Sequence, residues 1–454
     1  MSPSTSISRF VALLVQLLPL APAVSASLDI VPGATWTAAG TNKHIQAHGT
    51  GLFETDGVYY IIGENHTAGA SFQSINCYSS TNLLDWTFEN ELLTLQSSGD
   101  LGPSRIVERP KVIYNDNTKQ YVMWMHIDDS SYAEARAGVA TSASVCGDYT
   151  YLNASQPLGF QSRDLGLFKD TDGTGYLLTE DRENGLRIDR LSADYLTVES
   201  NVHLFTADYE APAVYKTGDT YFMFASQLTG WSANDNKYTT ATNLSGPWSD
   251  WADFAPAGSD TYDSQTSFVA DINGLVMYMG DRWVSTDLAA STYIWLPLTI
   301  SGTTASLTTS SPWTPSVADG TWTPVSATTT YGSKSNGTLS GSAVSLSCSG
   351  CSAEIVGYLG GPDNGTLTFS EVAFSSAGEN TVQISYGNGD STQRYCAVSV
   401  NGVTHVVAFL PSGGPQSLST SVLNAVVNEG ANNVISFGAF EGGYCPDIAG
   451  IVIS

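Results

Sequence analysis

Short runs of alternating apolar and polar residues recur along the first 300 residues, and helical periodicity is almost absent. Each repeat has the same order: an apolar strand, a turn rich in Asn, Asp and Gly, an aromatic strand, and a polar cluster. Such turns between alternating strands are typical of β-hairpins. The five copies begin in "LFETDGVYYIIGEN" (52–65), "VIYNDNTKQYVMWMHIDD" (112–129), "LFKDTDGTGYLLTED" (167–181), "AVYKTGDTYFMFASQ" (213–227) and "FVADINGLVMYMGDR" (268–282).

Five ordered copies at a spacing of roughly 45–65 residues are the sequence signature of a β-propeller with one copy in each blade. We therefore predict an all-β chain that begins with a five-bladed propeller. The innermost strand of each blade starts beside the central channel, so the residues just before these strands are expected to ring one mouth of it. These rim positions are Glu108, Asp164, Glu210 and Gln265 in blades two to five, and His48-Gly49 in blade one.

The rim side chains of blades two to five have the chemistry of a catalytic site, because three are carboxyl groups and one is an amide. Clustered like charges and partial burial both raise the pKa of a carboxyl group. Glu210 stands beside Tyr209 and Pro212 at the start of an apolar strand, so it is a candidate for a glutamate kept protonated as a general acid. Singly, each residue is equally well explained as a strand-end cap. Their equivalent positions favour the catalytic interpretation.

Two stretches around these positions resemble the motifs of glycoside hydrolase family 43: "SRDLGLFKDTDG" (162–173) and "YEAP" (209–212). The resemblance implies a five-bladed propeller that cleaves glycosides with inversion. It makes Glu210 the catalytic acid and Asp164 the residue that tunes and orients it. The family usually takes its base from an aspartate in an Asp-Pro motif of blade one, whereas this sequence has "HGTG" (48–51) there.

The missing aspartate makes the chain similar to the exo-β-1,3-galactanases of that family, which place a glutamine in blade five, as "DSQTS" (263–267) does with Gln265. The side-chain amide of a glutamine can orient a water through its carbonyl oxygen, and an imidic-acid tautomer of this amide has been proposed for the family. Glu108 is the rival for the base, although its "ERPK" context resembles a substrate-binding position. Since Glu210 and Gln265 come from neighbouring blades, we expect between them the gap of roughly 6.5–9.5 Å that an inverting enzyme needs.

Loops that follow the second strands are predicted to complete a sugar pocket. Aromatic faces stack on sugar rings, and carboxylates accept hydrogen bonds from hydroxyl groups. Ordinary packing is the alternative for the tryptophan among them, and a turn role is the alternative for the asparagine. The predicted substrate-binding residues are Glu64, Glu108, Tyr132, Asn184 and Trp231.

The composition changes after about residue 300, where Ser, Thr and Pro become frequent, as they are in linkers. Short alternating strands with Gly turns then predict a β-sandwich. We expect a signal peptide at 1–26, the propeller at 27–312, a linker at 313–328 and the sandwich at 329–454.

The last domain resembles a family 35 carbohydrate-binding module in "VGYLGG" (356–361), "YGNGDSTQRY" (386–395) and "GGYCPDIAGI" (442–451). The resemblance implies a sugar site formed by Tyr358, Arg394, Tyr444 and Asp447. Residues at the edge of the sandwich are the alternative. Many modules of this family hold a calcium ion through a "YEAE"-like stretch, but here the stretch is "YGSKS" (331–335), so structural calcium is possible and in doubt.

The composition and the N-terminal sequence indicate the cellular compartment and exclude some classes of partner. A short apolar run before "APAVSA" is typical of a secretory signal peptide. Six cysteines and five Asn-x-Ser/Thr sequons agree with secretion, and we predict the disulfides Cys77–Cys146, Cys348–Cys351 and Cys396–Cys445 rather than a zinc site. The net charge of −26 argues against nucleic acid and anionic membranes as partners.

These observations predict a secreted, monomeric, inverting exo-β-1,3-galactanase that acts on the main chain of arabinogalactans. No cofactor or metal is expected to be required for catalysis, and a polysaccharide is the expected partner. Two alternatives remain: an α-L-arabinofuranosidase or β-xylosidase of the same family, and a non-catalytic propeller that only binds glycans.

Overall fold

The computed structural model describes residues 28–349, 351, 354–414 and 417–454, so the predicted signal peptide lies outside the described residues. Regular structure in the described part is almost wholly β. Its helical segments are the 3-10 turns Pro157–Gly159 and Leu288–Ala290 and the single turns α1 (Asp260–Asp263) and α2 (Ser333–Asn336). No helix among these residues is long and apolar enough to cross a membrane.

Five antiparallel sheets follow one another along the first two thirds of the chain, four of them with four strands and the fifth with three. In chain order they contain β1 (His48–Thr55), β2 (Val58–Glu64), β3 (Ser74–Ser80) and β4 (Thr87–Thr94); β5 (Arg105–Asn115), β6 (Gln120–Asp129), β7 (Arg136–Ser142) and β8 (Thr150–Ser155); β9 (Leu165–Lys169), β10 (Gly175–Asp181), β11 (Gly185–Leu191) and β12 (Val198–Phe205); β13 (Tyr209–Thr217), β14 (Thr220–Gln227), β15 (Lys237–Ala241) and β16 (Ala252–Asp253); and β17 (Gln265–Ile272), β18 (Leu275–Arg282) and β19 (Thr292–Pro297).

The first strands of these sheets surround a common channel. Each contacts the first strand of the next sheet, and β17 returns to contact β1. The second strands are buried on both faces; β6, for example, is buried from Val122 to Asp128. Apolar side chains of neighbouring sheets pack between them, as Tyr215 of β13 packs with Tyr278 of β18. This arrangement of sheets is of the propeller type.

The predicted linker 313–328 is instead a structured hairpin packed on the sheets. Two short hairpins follow β19, formed by β20 (Thr299–Ser301) with β21 (Thr304–Ser306), and by β22 (Trp313–Ser316) with β23 (Thr321–Pro324). Trp313 is fully buried, pairs with Ile30 through two backbone hydrogen bonds, and donates its indole N–H to the carbonyl of Trp295 at 2.9 Å. The burial of this large apolar side chain explains why a Ser/Thr-rich segment packs against the propeller sheets.

Trp313→Ala is therefore expected to destabilise the protein by about 3–5 kcal/mol, because it opens a large cavity in a packed cluster. Trp322→Ala, on the partner strand and half-buried, is the matched control and should cost much less. Urea unfolding followed by fluorescence compares the two variants. Equal, small losses for both would show that the hairpin is only loosely attached.

The C-terminal domain consists of two antiparallel sheets that enclose one hydrophobic core. Its strands are β24 (Thr329–Gly332), β25 (Gly337–Ser340), β26 (Val344–Leu346), β27 (Ile355–Gly357), β28 (Thr366–Phe374), β29 (Gly378–Gly387), β30 (Arg394–Val400), β31 (Val403–Phe409), β32 (Ser419–Val427), β33 (Gly430–Gly438) and β34 (Asp447–Ile453). The six-stranded sheet has the order β26-β27-β34-β29-β32, with β24 paired to β34, and the five-stranded sheet has the order β25-β28-β33-β30-β31.

All three predicted disulfides are present, so the Cys-x-x-Cys pair at 348 and 351 is bonded to itself and is not a metal site. The bridge Cys77–Cys146 links the first two sheets of the propeller. The bridge Cys396–Cys445 ties β30 to the loop that precedes β34. It thereby fixes the positions of Arg394 and Tyr444 relative to each other.

Candidate active site

Three inner strands carry the same local distortion at the channel mouth. A β-bulge follows His48 in β1, Glu108 in β5 and Glu210 in β13. Bulges bend a strand and redirect its side chains, and they are frequent beside active sites. The next residue has a left-handed φ in each case, at Gly49 (+56°), Arg109 (+52°) and Ala211 (+54°). The shared geometry confirms that these rim positions are equivalent, as the repeats predicted.

The rim residues open into a cavity of about 200 Å³. The predicted residues that line it are Glu64, Glu108, Tyr132, Asp164, Glu210, Trp231 and Gln265. Asn184 is not among the lining residues. Its side-chain amide donates to the carboxylate of Asp181 at 2.8 Å and closes the turn before β11, so the structure does not bring Asn184 to the cavity with the other predicted residues.

Glu210 has the environment of a protonated acid. It is 5% exposed, and its partner across the sheet is Ser226. Burial raises the pKa of Glu210 to about 9, and the negative charges of Asp164 and Glu180 add to this effect. The nearest cation is the guanidinium of Arg182, 3.5 Å from Oε2. Glu210 therefore holds a proton at neutral pH, as a general acid must.

Gln265 is hydrogen-bonded directly to Glu210. Its Nε2 donates to Oε1 of Glu210 at 2.9 Å and to Oγ of Ser226 at 3.1 Å. Its Oε1 accepts from Nη2 of Arg109 at 2.5 Å and from Nε1 of Trp283 at 2.9 Å. If the side-chain amide of Gln265 were flipped, its NH₂ group would face the N–H donors of Arg109 and Trp283. The surrounding groups therefore fix the orientation described here.

The contact between Gln265 and Glu210 differs from the sequence-based expectation. An inverting acid and its water-activating partner need roughly 6.5–9.5 Å between them, but these two side chains touch. Both acceptor positions of the Gln265 carbonyl are also occupied. The inner strands β13 and β17 are direct neighbours, so their rim side chains meet without the predicted gap. In this arrangement Gln265 fixes the carboxyl group of Glu210.

Arg109 crosses the channel and connects three inner strands. Its Nε lies 2.7 Å from Oδ2 of Asp164, its Nη1 donates to the carbonyl of Thr266 at 3.0 Å, and its backbone N–H donates to Oε1 of Glu64 at 2.6 Å. Lys111, also buried, donates from Nζ to the carbonyl of Gly49 at 2.5 Å. Arg109 lines the cavity, whereas Lys111 lines a separate pocket further along the inner strands.

Glu108 is held in the opposite protonation state to Glu210. Tyr132 donates to its Oε1 at 2.7 Å, and Nδ1 of His126 donates to its Oε2 at 3.1 Å. Burial opposes protonation of His126, but hydrogen bonds to Asp128 and Glu108 outweigh it and raise the pKa of His126 to about 9. This imidazolium offsets the burial of Glu108 and holds the pKa of that carboxyl below its usual value. Glu108 is therefore an ionised carboxylate in the same cavity.

One group of possible metal ligands occurs among the described residues: Glu108, His126 and Asp164 have ligand atoms within 4.8 Å of one another. Both ring nitrogens of His126 are engaged with carboxylates, at 3.1 and 2.9 Å, so the imidazolium itself accounts for the cluster. Within the described part of the C-terminal domain, no comparable cluster of acidic and histidine side chains forms.

The family follows from a comparison with known protein families. A model of glycosyl hydrolases family 43 matches residues 50–284, which is more than half of the chain. The chain belongs to this family. A second model, described as alpha-galactosidase, CBM13 domain, matches residues 366–452. The C-terminal domain is therefore similar to a carbohydrate-binding domain of the CBM13 type, and family 35 in particular is not supported.

Solved structures of family 43 enzymes resemble the whole chain. An exo-β-1,3-galactanase from Phanerochaete chrysosporium, bound to galactose, is 37% identical over 94% of this chain and 100% of its own, with a TM-score of 0.67. A variant of that enzyme bound to β-1,3-galactotriose has the same identity and coverage and a TM-score of 0.66. An exo-β-1,3-galactanase from Clostridium thermocellum shares the fold at 24% identity, with coverages of 94% and 100% and a TM-score of 0.63. A search of curated proteins found no match.

Several lining residues of this family 43 glycoside hydrolase were missed from the sequence. Trp283 is one; its ring centroid lies 4.9 Å from that of Trp231, and the two form an aromatic wall. It stands directly after β18, as Glu64 stands at the end of β2, so its position at a second-strand end was the signal that marks it. Arg109 gave no such signal. The other missed lining residues are His126, Arg163, Glu180, Arg182 and Gly230.

The predicted sugar-site residues of the C-terminal domain are close in space. Tyr358 is 57% and Tyr444 45% exposed, unusually high for tyrosines. A backbone bridge between Gly360 and Tyr444 joins their two loops. Arg394 donates to the carbonyl of Cys445 at 3.0 Å. Burial raises the pKa of Asp447, and the positive charge of Arg394 partly counteracts this, which places the two side chains near each other.

Proposed function

We propose that this glycoside hydrolase is an inverting exo-β-1,3-galactanase, which releases galactose and substituted galactosides from the main chain of arabinogalactans. The observation that carries the proposal is the pair of glutamates in one cavity, with Glu210 protonated and Glu108 ionised. Two carboxyl groups held in opposite states are what glycoside hydrolysis requires. The likeness to exo-β-1,3-galactanases at 37% identity supports the substrate.

In the proposed reaction Glu210 protonates the glycosidic oxygen as its bond to C1 breaks. Asp164 keeps the proton on Glu210 before the reaction, because its negative charge raises the pKa of that acid. Gln265 fixes the carboxyl group by donating to its Oε1. A water attacks C1 from the opposite face of the ring and gives its proton to a base. Glu108 is ionised and accepts this proton without a change in the resting contacts, whereas Gln265 must first leave Glu210.

The shape of the cavity supports cleavage at a chain end. Its volume of about 200 Å³ is below the range of roughly 300–1,000 Å³ of sites for larger ligands, and it suits a single sugar ring. Arg109 crosses the channel at the bottom of this cavity and is held by Asp164 and the carbonyl of Thr266. A chain cannot pass through, so only its terminal residue enters. Trp231 and Trp283 offer aromatic surface for that sugar.

The proposal extends to the domain architecture of the protein and to its extracellular location. The five sheets are five blades of one propeller, and the two C-terminal sheets are a β-sandwich that binds galactan. Tyr358, Arg394, Tyr444 and Asp447 form its sugar site. The protein is a secreted monomer with a cleaved segment at 1–26. Four of the five sequon asparagines are exposed, which supports an extracellular setting.

Incubation of the purified protein with β-1,3-galactan, arabinan and xylan tests the proposal, with the released sugars separated by chromatography. Galactose from β-1,3-galactan as the main product is expected. Release of arabinose or xylose instead would assign the enzyme to another activity of the family. Binding without any released sugar would favour the propeller that only binds glycans.

A further inference from the structure

A turn near the start of the propeller sequence is hydrogen-bonded to the C-terminal domain. Thr37 pairs with His44, and residues 38–43 form the turn between them. The Thr37 hydroxyl accepts a hydrogen bond from the backbone N–H of Ala408 at 2.9 Å, and the N–H of His44 donates to the side chain of Gln393 at 3.2 Å. His44 also contacts the carbonyl of Ser291 in the propeller at 3.0 Å. The turn is therefore fixed against both domains.

This turn forms one wall of a groove of about 700 Å³ whose other walls belong to the C-terminal domain. Thr41 and Lys43 lie on the catalytic side, and Arg394 and Tyr444 lie opposite. The Nε of Arg394 is held by Asp390 at 2.7 Å, and its Nη1 is held by a backbone carbonyl, so the guanidinium is preorganised. The groove is more than three times as large as the active-site cavity.

The chemistry of the groove suits a neutral glycan longer than one sugar. Tyr444 offers an exposed aromatic face, and the guanidinium, carboxylate and hydroxyl groups offer donors and acceptors for sugar hydroxyls. Lys43 and Arg394 are matched by Asp390 and Glu441, so the lining is close to neutral in a chain of net charge −26. An anionic polymer would need an excess of cations here.

We propose that the galactan-binding site of this protein is shared between its two domains, with Thr41 and Lys43 binding the sugar next to the one held by Arg394 and Tyr444. This rests on the proposed galactan-binding role of the C-terminal domain. The ligand is a β-1,3-linked galactan segment of two or more residues. Recognition by the C-terminal domain therefore depends on a turn that its own sequence does not contain.

Affinity electrophoresis in gels that contain soluble β-1,3-galactan tests the shared site, with the full-length Glu210→Gln variant as the hydrolysis-deficient background. Lys43→Ala is expected to weaken galactan binding by the C-terminal domain about tenfold, the loss typical of one charge-assisted hydrogen bond. Tyr444→Ala should remove that binding. Lys334→Ala changes another exposed lysine, which lies outside the groove, and should bind like the background. The propeller contributes equally to all four proteins.

The outcomes separate the two proposals. Weaker binding by both Lys43→Ala and Tyr444→Ala, with Lys334→Ala unchanged, supports the shared groove. Loss of binding in Tyr444→Ala with full binding in Lys43→Ala overturns the shared groove and leaves the galactan-binding domain intact. No loss in Tyr444→Ala overturns the galactan-binding role itself.

Discussion

Replacement of Glu210 by glutamine is expected to lower kcat on β-1,3-galactobiose by about 10²–10⁴-fold, the usual contribution of a general acid. The amide has the shape of the acid and keeps a hydrogen-bonding group beside Gln265, but it has no proton to give to the leaving oxygen. Substrate affinity should stay within a few-fold of the wild-type value. Steady-state kinetics combined with a direct binding measurement separates the two effects.

The pH profile supplies an independent test of the same residue. The acid works only while protonated, so wild-type activity should fall as the pH rises through the pKa of Glu210, raised by burial to about 9. Glu183→Gln changes an exposed glutamate next to the site and should leave both the rate and this alkaline limb unchanged. A Glu210→Gln variant with near wild-type turnover on this poor leaving group would show that another residue is the acid.

Replacement of Glu108 by glutamine is expected to lower the single-turnover rate by about 10²–10⁴-fold as well, because it removes the one ionised carboxylate that the imidazolium of His126 holds in the cavity. Azide, a small anion, should restore part of the rate in Glu108→Ala by taking the place of the base. Gln265→Ala should also lose turnover, since its amide holds Glu210. Azide should not rescue that variant, because no charge was removed.

The contrary pattern would reassign the base. If Glu108→Gln weakens binding but keeps its single-turnover rate, while Gln265→Ala loses turnover with affinity intact, then Gln265 activates the water after its bond to Glu210 opens. A Gln265→Ala enzyme with full turnover would remove Gln265 from the mechanism altogether. Stopped-flow binding and quench-flow turnover on the same variants provide both quantities.

The repeats were sufficient to predict the all-β fold and the rim of the channel. Hairpin turns and alternating strands are local features, and the first residues of equivalent strands meet by symmetry, which is why Glu108, Asp164, Glu210 and Gln265 were found together. The linker prediction failed because it rested on average composition. One large apolar residue, Trp313, outweighs many Ser and Thr residues once it is buried.

The details of the site depend on contacts that a linear pattern does not contain. Arg109 follows a bulge with a left-handed φ, and nothing in "ERPK" marks the bulge or the direction of the side chain. The hydrogen bond between Gln265 and Glu210 likewise depends on how close two inner strands lie at the rim. Asn184 closes a turn and does not line the cavity, and a linear pattern does not separate these roles because the residue types that bind sugars also close turns.

The anomer of the first-formed galactose tests the central claim most directly. Proton NMR spectra, recorded within minutes of adding the enzyme to β-1,3-galactan, resolve the two anomers before mutarotation mixes them. The account predicts that α-galactose accumulates first, because a single attack by water inverts the β-linkage. Initial release of β-galactose, or of oligosaccharides without galactose, would contradict an inverting enzyme that cleaves from the chain end.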